Sequence, residues 1–125
     1  MQSWIVPFPP DETARRLLAV LGAAGIDLVL RIAHPPTSLP AEPEGILFLL
    51  SRPDWISHVR TTDPRAGLEV PLRLYLVGCG ERTEILYRTA RECLAPYPNP
   101  HLSEIARRID ESCVEAINRL EDPAG

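Results

Sequence analysis

Residues 63–88 read DPRAGLEVPLRLYLVGCGERTEILYR, and this stretch decides the fold. Leu72, Leu74 and Leu76 alternate with Arg73, Tyr75 and Val77, the period of two expected of a strand with one buried face. Gly78-Cys79-Gly80 interrupts the alternation, which resumes with Thr83, Ile85 and Tyr87 set against Glu84, Leu86 and Arg88. The two runs predict an antiparallel hairpin whose glycines supply positive φ at the turn.

Working outward, Asp63-Pro64 fits an N-cap followed by a first helical position. Residues 46–50, ILFLL, form a short apolar run stopped by Ser51-Arg52-Pro53, which reads as a central strand. Trp55, Ile56 and Val59 fit one side of a two-turn helix opened at Pro53. Residues 26–34 alternate again, Ile26, Leu28, Leu30 and Ile32 against Asp27, Val29, Arg31 and Ala33, predicting a half-buried strand. Between these strands PPTSLPAEPE (35–44) has no apolar period and reads as an extended, partly mobile loop, a lid or a spacer. The chain opens on a short strand at 4–6, closed by Pro7, Pro9 and Pro10. A helix follows from Pro10, with Asp11 and Glu12 at its positive end and Ala14, Leu17, Leu18 and Leu21 in one stripe ended by Gly25.

Beyond the hairpin, 90–94 predicts a helical turn before Pro96, Pro98 and Pro100. Asn99 then caps a helix of about five turns whose stripe runs through Leu102, Ile105, Ala106, Ile109, Cys113, Ala116, Ile117 and Leu120. Arg107, Arg108, Asp110, Glu111 and Glu115 fall on its solvated side. The order β-α-β-β-(short α)-β-β-α predicts a two-layer α+β fold, a curved antiparallel sheet of about five strands with helices on one face. One domain over 1–125, with a tail at 122–125, is expected.

Composition narrows the function classes. A net charge of -4 offers no general attraction to phosphate backbones, so nucleic acid is not an expected partner. All 13 basic residues are arginine, which removes every lysine-based mechanism. No apolar run approaches the roughly 20 residues that span a bilayer, and the expectation is a soluble, cytoplasmic protein without a membrane partner. Three cysteines at wide spacing form neither a disulfide framework nor a C-x-x-C pair.

Cys79 sits between two glycines at the hairpin tip, where a thiol is exposed; Arg82 favours the thiolate and Glu81 opposes it. Either it is reactive or it is a tolerated turn residue. His34 and His58, with Cys79 as a third donor, are the candidate metal or haem ligands if the strand ends converge; solvated histidines are the simpler reading. The same groups with Asp54 or Asp63 would make a Cys-His-acid set, yet no nucleophile elbow accompanies them. Gly78-Cys79-Gly80 opens no helix and so is no phosphate loop. Arg52, Arg60, Arg65 and Arg73 cluster in sequence and suit bidentate recognition of a carboxylate or phosphate, or else form a charged rim.

The assembled residues resemble the bacterial and archaeal family called domain of unknown function 302. The resemblance is carried by the opening strand and helix, Pro53, Asp63-Pro64-Arg65-Ala66-Gly67, Glu69-Val70-Pro71-Leu72-Arg73 and Tyr87. The chain departs from it at Ser51-Arg52-Pro53 and Ile56-Ser57-His58, where the family carries Gly-Asn-Pro and Gly-Thr-Pro. The resemblance implies a TATA-binding-protein-like α+β fold and a dimer. With no catalytic constellation, the leading expectation is a non-enzymatic ligand-binding or protein-interaction module. It would be a homodimer through a sheet edge or apolar flanks, with a site drawn from Trp55, His58, Arg65, Arg73, Tyr75, Cys79 and Tyr87 in a pocket between sheet and helices. The alternative is a thiol-dependent or metal- or haem-dependent redox or sulfur-handling protein using Cys79 and a histidine.

Overall fold

The computed structural model describes residues 1–36 and 43–121. The elements run β1 (Gln2–Val6), α1 (Pro10–Ala23), β2 (Asp27–His34), β3 (Gly45–Ser51), α2 (Pro53–Thr62), a 3-10 segment (Pro64–Glu69), β4 (Leu72–Cys79), β5 (Arg82–Tyr87), α3 (Ala90–Leu94), α4 (Pro100–Asn118) and a closing 3-10 turn (Arg119–Glu121). Most of the lid or spacer expected at 35–44, and the tail at 122–125, lie outside the described residues.

All five strands pair antiparallel in the order β1-β5-β4-β3-β2. The hairpin is as expected, with Leu74 opposite Tyr87 and Cys79 opposite Arg82. Its turn is Gly80-Glu81, and Gly80 alone holds positive φ, at 67°. Gly78 remains inside β4, so the positive φ expected of both flanking glycines belongs to one. A glycine with positive φ at the first central position is what a two-residue II′ turn requires.

One face of the sheet supplies the core: Ile46, Phe48 and Leu50 of β3, Leu72, Leu74 and Leu76 of β4, and Ile85 and Tyr87 of β5 are all buried. Leu17 and Leu21 of α1 pack onto it with Leu102, Ile109, Cys113 and Ile117 of α4, spaced four or seven residues apart along one helix face. Asn99 caps α4 by accepting from the His101 amide at 2.9 Å. Thr13 and Thr83 hydroxyls both donate to the Phe8 carbonyl, at 3.1 and 2.7 Å, which ties α1 and β5 to the proline-rich link between β1 and α1.

Three expectations are corrected here. The helix at Pro53 has ten residues rather than two turns. The strand at β2 is not half-buried: all eight of its residues are exposed. It is an edge strand paired only with β3, and a bulge between Leu28 and Leu30 breaks its period. Asp110, expected on the solvated side of α4, is 7% exposed. It lies one position past Ile109, at the margin of the apolar stripe, and turns inward. There it accepts from the Tyr87 hydroxyl at 2.6 Å, the Ala90 amide at 2.7 Å and the Arg91 amide at 3.2 Å, so one carboxylate joins α4 to β5 and closes the start of α3.

Candidate functional site: the open face of the sheet

The pleat and the strand pairing together define what points away from the helices. Three rows cross the sheet on that side. The middle row reads Ser3, Leu86, Tyr75, Leu47 and Ile32 from β1 to β2. Toward the hairpin tip lies Ile5, Glu84, Val77, Gly45 and His34. At the opposite end lies Arg73, Leu49 and Leu30, extended by Arg88, whose amide donates to the Arg73 carbonyl at 3.4 Å. Among the described residues no helix or strand covers these rows.

An antiparallel sheet with one wet face ordinarily alternates apolar-in with polar-out. Here Leu86, Tyr75, Val77, Leu47, Leu49, Leu30, Ile32 and Ile5 all point out. Ile5 and Leu30 are 61% and 47% exposed. Exposed apolar side chains grouped in this way, uncovered among the described residues, make this face the candidate interaction site.

Tyr75 organises one end of the face. Its ring crosses β3 at Gly45 and its hydroxyl meets His34 Nδ1 at 2.7 Å, with ring centroids 5.5 Å apart. A Cβ on Gly45 would stand 2.7 Å from Tyr75 Cζ, inside any real carbon contact, so glycine is required under the ring. The pair reaches from β4 over β3 to the edge strand.

The expected site residues separate into several places. Arg73 and Tyr75 share the open face, and Cys79 is exposed at the hairpin tip beyond Val77. Trp55 is on the buried side of α2, with the Arg52 guanidinium 5.7 Å from its ring centre. Arg52 is also bidentate to Asp54, at 3.0 and 3.2 Å, so the departing Ser51-Arg52-Pro53 segment serves to lock the start of α2. Arg65 pairs with Asp63, which holds the Asp63 carboxyl below the usual carboxylate range. Tyr87 is enclosed in the core; burial, then the neighbouring Cys113 and Asp110, drives its hydroxyl far above the ordinary phenol range, so it cannot meet a ligand. The pocket expected between sheet and helices is packed core.

His34, His58 and Cys79 do not converge. His34 is on the open face, while His58 is on α2 and lines a cleft of about 410 Å³ with His101, Glu104 and Arg108 of α4. Among the described residues no three His, Cys, Asp or Glu side chains are grouped to hold a metal ion. Cys113 is buried and its thiol is pushed up to about 12 by that burial, which leaves it a packing residue. A cleft of about 930 Å³ runs along α4 and α3, bordered by Arg107, Glu111, Glu115, Arg119 and Glu92. Those groups are largely paired with one another: Arg107 with Glu111, Arg119 with Glu115, and Glu92 with the Met1 ammonium.

Sequence reasoning missed the outward leucines. Leu47 and Leu49 sit within a continuous apolar run that reads only as a central strand, and Leu86 falls with Glu84 and Arg88 on the polar side of its strand. The signal is in the sequence: an apolar residue at an outward position on each of the five strands.

The class that emerges is a two-layer α+β protein whose sheet presents an apolar face that no described element covers. No family model matches the chain, and no curated protein matches it. Its fold is that of a solved structure described as an uncharacterised conserved DUF302 protein from Bacillus stearothermophilus, with a TM-score of 0.86 and 17% sequence identity, covering 96% of this chain and 97% of that one. The fold implied by the sequence resemblance is therefore the one observed. Among the described residues no helix is long and apolar enough to cross a membrane.

Proposed function

We propose that this protein is a non-enzymatic interaction module that self-associates as a homodimer through the open face of its sheet. The observation that carries this reading is the apolar outward rows, centred on Leu86, Tyr75 and Leu47, with nothing over them among the described residues. Five strands at ~4.8 Å and six residues at ~3.3 Å give a flat footprint of about 500 Å² per copy. Two such faces bring the total to about 1,000 Å² before side-chain relief is counted, the size at which specific interfaces begin. Two sheets stacked this way would form a sandwich about 10 Å thick at its centre.

The test is sedimentation equilibrium of the wild-type chain beside Leu47→Asp, which places a charge at the centre of the face without touching the core. The expected result is a concentration-dependent dimer for wild type and a folded monomer for the variant. A wild-type chain that stays monomeric to millimolar concentration would sink the reading.

A further inference from the structure

Resting on that self-association, we infer that the two-fold axis of the dimer lies in the plane between the sheets and runs across the strands, along the row of Leu86, Tyr75 and Leu47. Two sheets stacked with their strands roughly aligned admit two such axes. An axis along the strands brings each row against its own copy. Arg73, on the middle strand β4, would then face the partner's Arg73, a like-charge contact in a partly dried interface. An axis across the strands reverses each strand end for end. The row holding Arg88, Arg73, Leu49 and Leu30 then lies over the partner's row of Glu84, Val77, Gly45 and His34.

Three observations favour the second arrangement. Among the described residues Arg73 and Arg88 have no carboxylate within ion-pair distance and Glu84 has no cation within it, so the face holds charges that one chain leaves unmatched. Arg88 and Glu84 both belong to the β5 column and come directly opposite one another after the reversal, with Arg73 one strand away. Leu49 comes over Gly45, the one position in its row without a side chain, where the Tyr75 ring supplies an apolar floor. Two further charges at outward register positions lie a row beyond the overlap at either end, Arg82 at the hairpin tip and Asp27 at the start of β2.

Charge exchange tests the axis in solution. Arg88→Glu and Glu84→Arg are each expected to weaken the homodimer by about 100-fold, the consequence of a like-charge contact across an interface. The Arg88→Glu/Glu84→Arg double variant is expected to recover wild-type affinity, and the two single variants mixed together are expected to form a heterodimer in preference to either homodimer. Circular dichroism checks that each variant keeps the fold. Dimers indifferent to these exchanges, together with an Arg73→Glu chain that pairs more tightly with wild type than wild type does with itself, would overturn the axis and assign the other one. A wild-type monomer would instead remove the self-association itself.

Discussion

Replacing Asp110 by alanine removes the acceptor for three donors at once. Two of them, the Tyr87 hydroxyl at 2.6 Å and the Ala90 amide at 2.7 Å, are buried and have no water to turn to. The third, the Arg91 amide at 3.2 Å, is near the surface and regains a partner from solvent. A buried donor left without its acceptor costs about 1 to 3 kcal/mol, so two of them with a small void place Asp110→Ala at about 3 to 4 kcal/mol. For a chain of 125 residues the unfolding entropy is about 0.26 kcal/mol/K, and the melting temperature falls by about 12 to 15 °C. Asp110→Asn keeps one oxygen for Tyr87 and Ala90 but turns an amide toward Arg91, and should cost about 1 to 2 kcal/mol. Tyr87→Phe removes one donor and leaves the carboxylate bonded, at about 1 kcal/mol. Urea denaturation followed by circular dichroism gives these values directly, and the Asp110→Ala/Tyr87→Phe cycle isolates their coupling. An Asp110→Ala chain within about 1 kcal/mol of wild type would refute the argument that this carboxylate joins α4, β5 and α3.

Gly45→Ala should destabilise the protein by about 1 to 3 kcal/mol, since the new methyl group must displace the Tyr75 ring; adding Tyr75→Ser should return most of that loss. If the single variant is neutral, the ring does not lie on Gly45. The Met1 ammonium and the Thr89 hydroxyl hold the Glu92 carboxyl down at about 2, against an ordinary 4.5. Because the folded value lies below the unfolded one, this contribution is complete above pH 4.5 and fades as pH falls from there toward 2. The melting temperature of Glu92→Gln should therefore decline less steeply across that acid range than that of wild type, and parallel curves would disprove the linkage.

Much of this architecture was legible because its signals are local. Proline and glycine mark nearly every boundary, Asn99 and Asp63 cap where caps were expected, and the alternation in 72–87 depends only on neighbouring residues. What escaped notice is non-local. Nothing within DLVLRIAH says that this strand has a single neighbour, so its alternation predicts a buried face that an edge strand does not have. Asp110 resembles any other charged residue of α4 until Tyr87, twenty-three positions earlier, is brought beneath it. Trp55 and Tyr87 were natural ligand residues by type, and the fold spends both on its interior. Arg73 and Tyr75 are legible by position, while the continuous run at 46–50 gives Leu47 and Leu49 no side until the sheet is assembled.

The five consecutive apolar residues of β3 have one more consequence. A strand with one buried face is held in register by its own pattern, because a slip of one residue would expose every side chain it should hide. Ile46, Leu47, Phe48, Leu49 and Leu50 carry no such safeguard, as a slipped strand would still present hydrocarbon to both sides. The alignment is instead enforced from outside. Only Gly45 fits beneath Tyr75, and a slip in either direction would thrust Glu44 or Ile46 into the ring. The residue that says least chemically is thus the one that tells this strand where to stop.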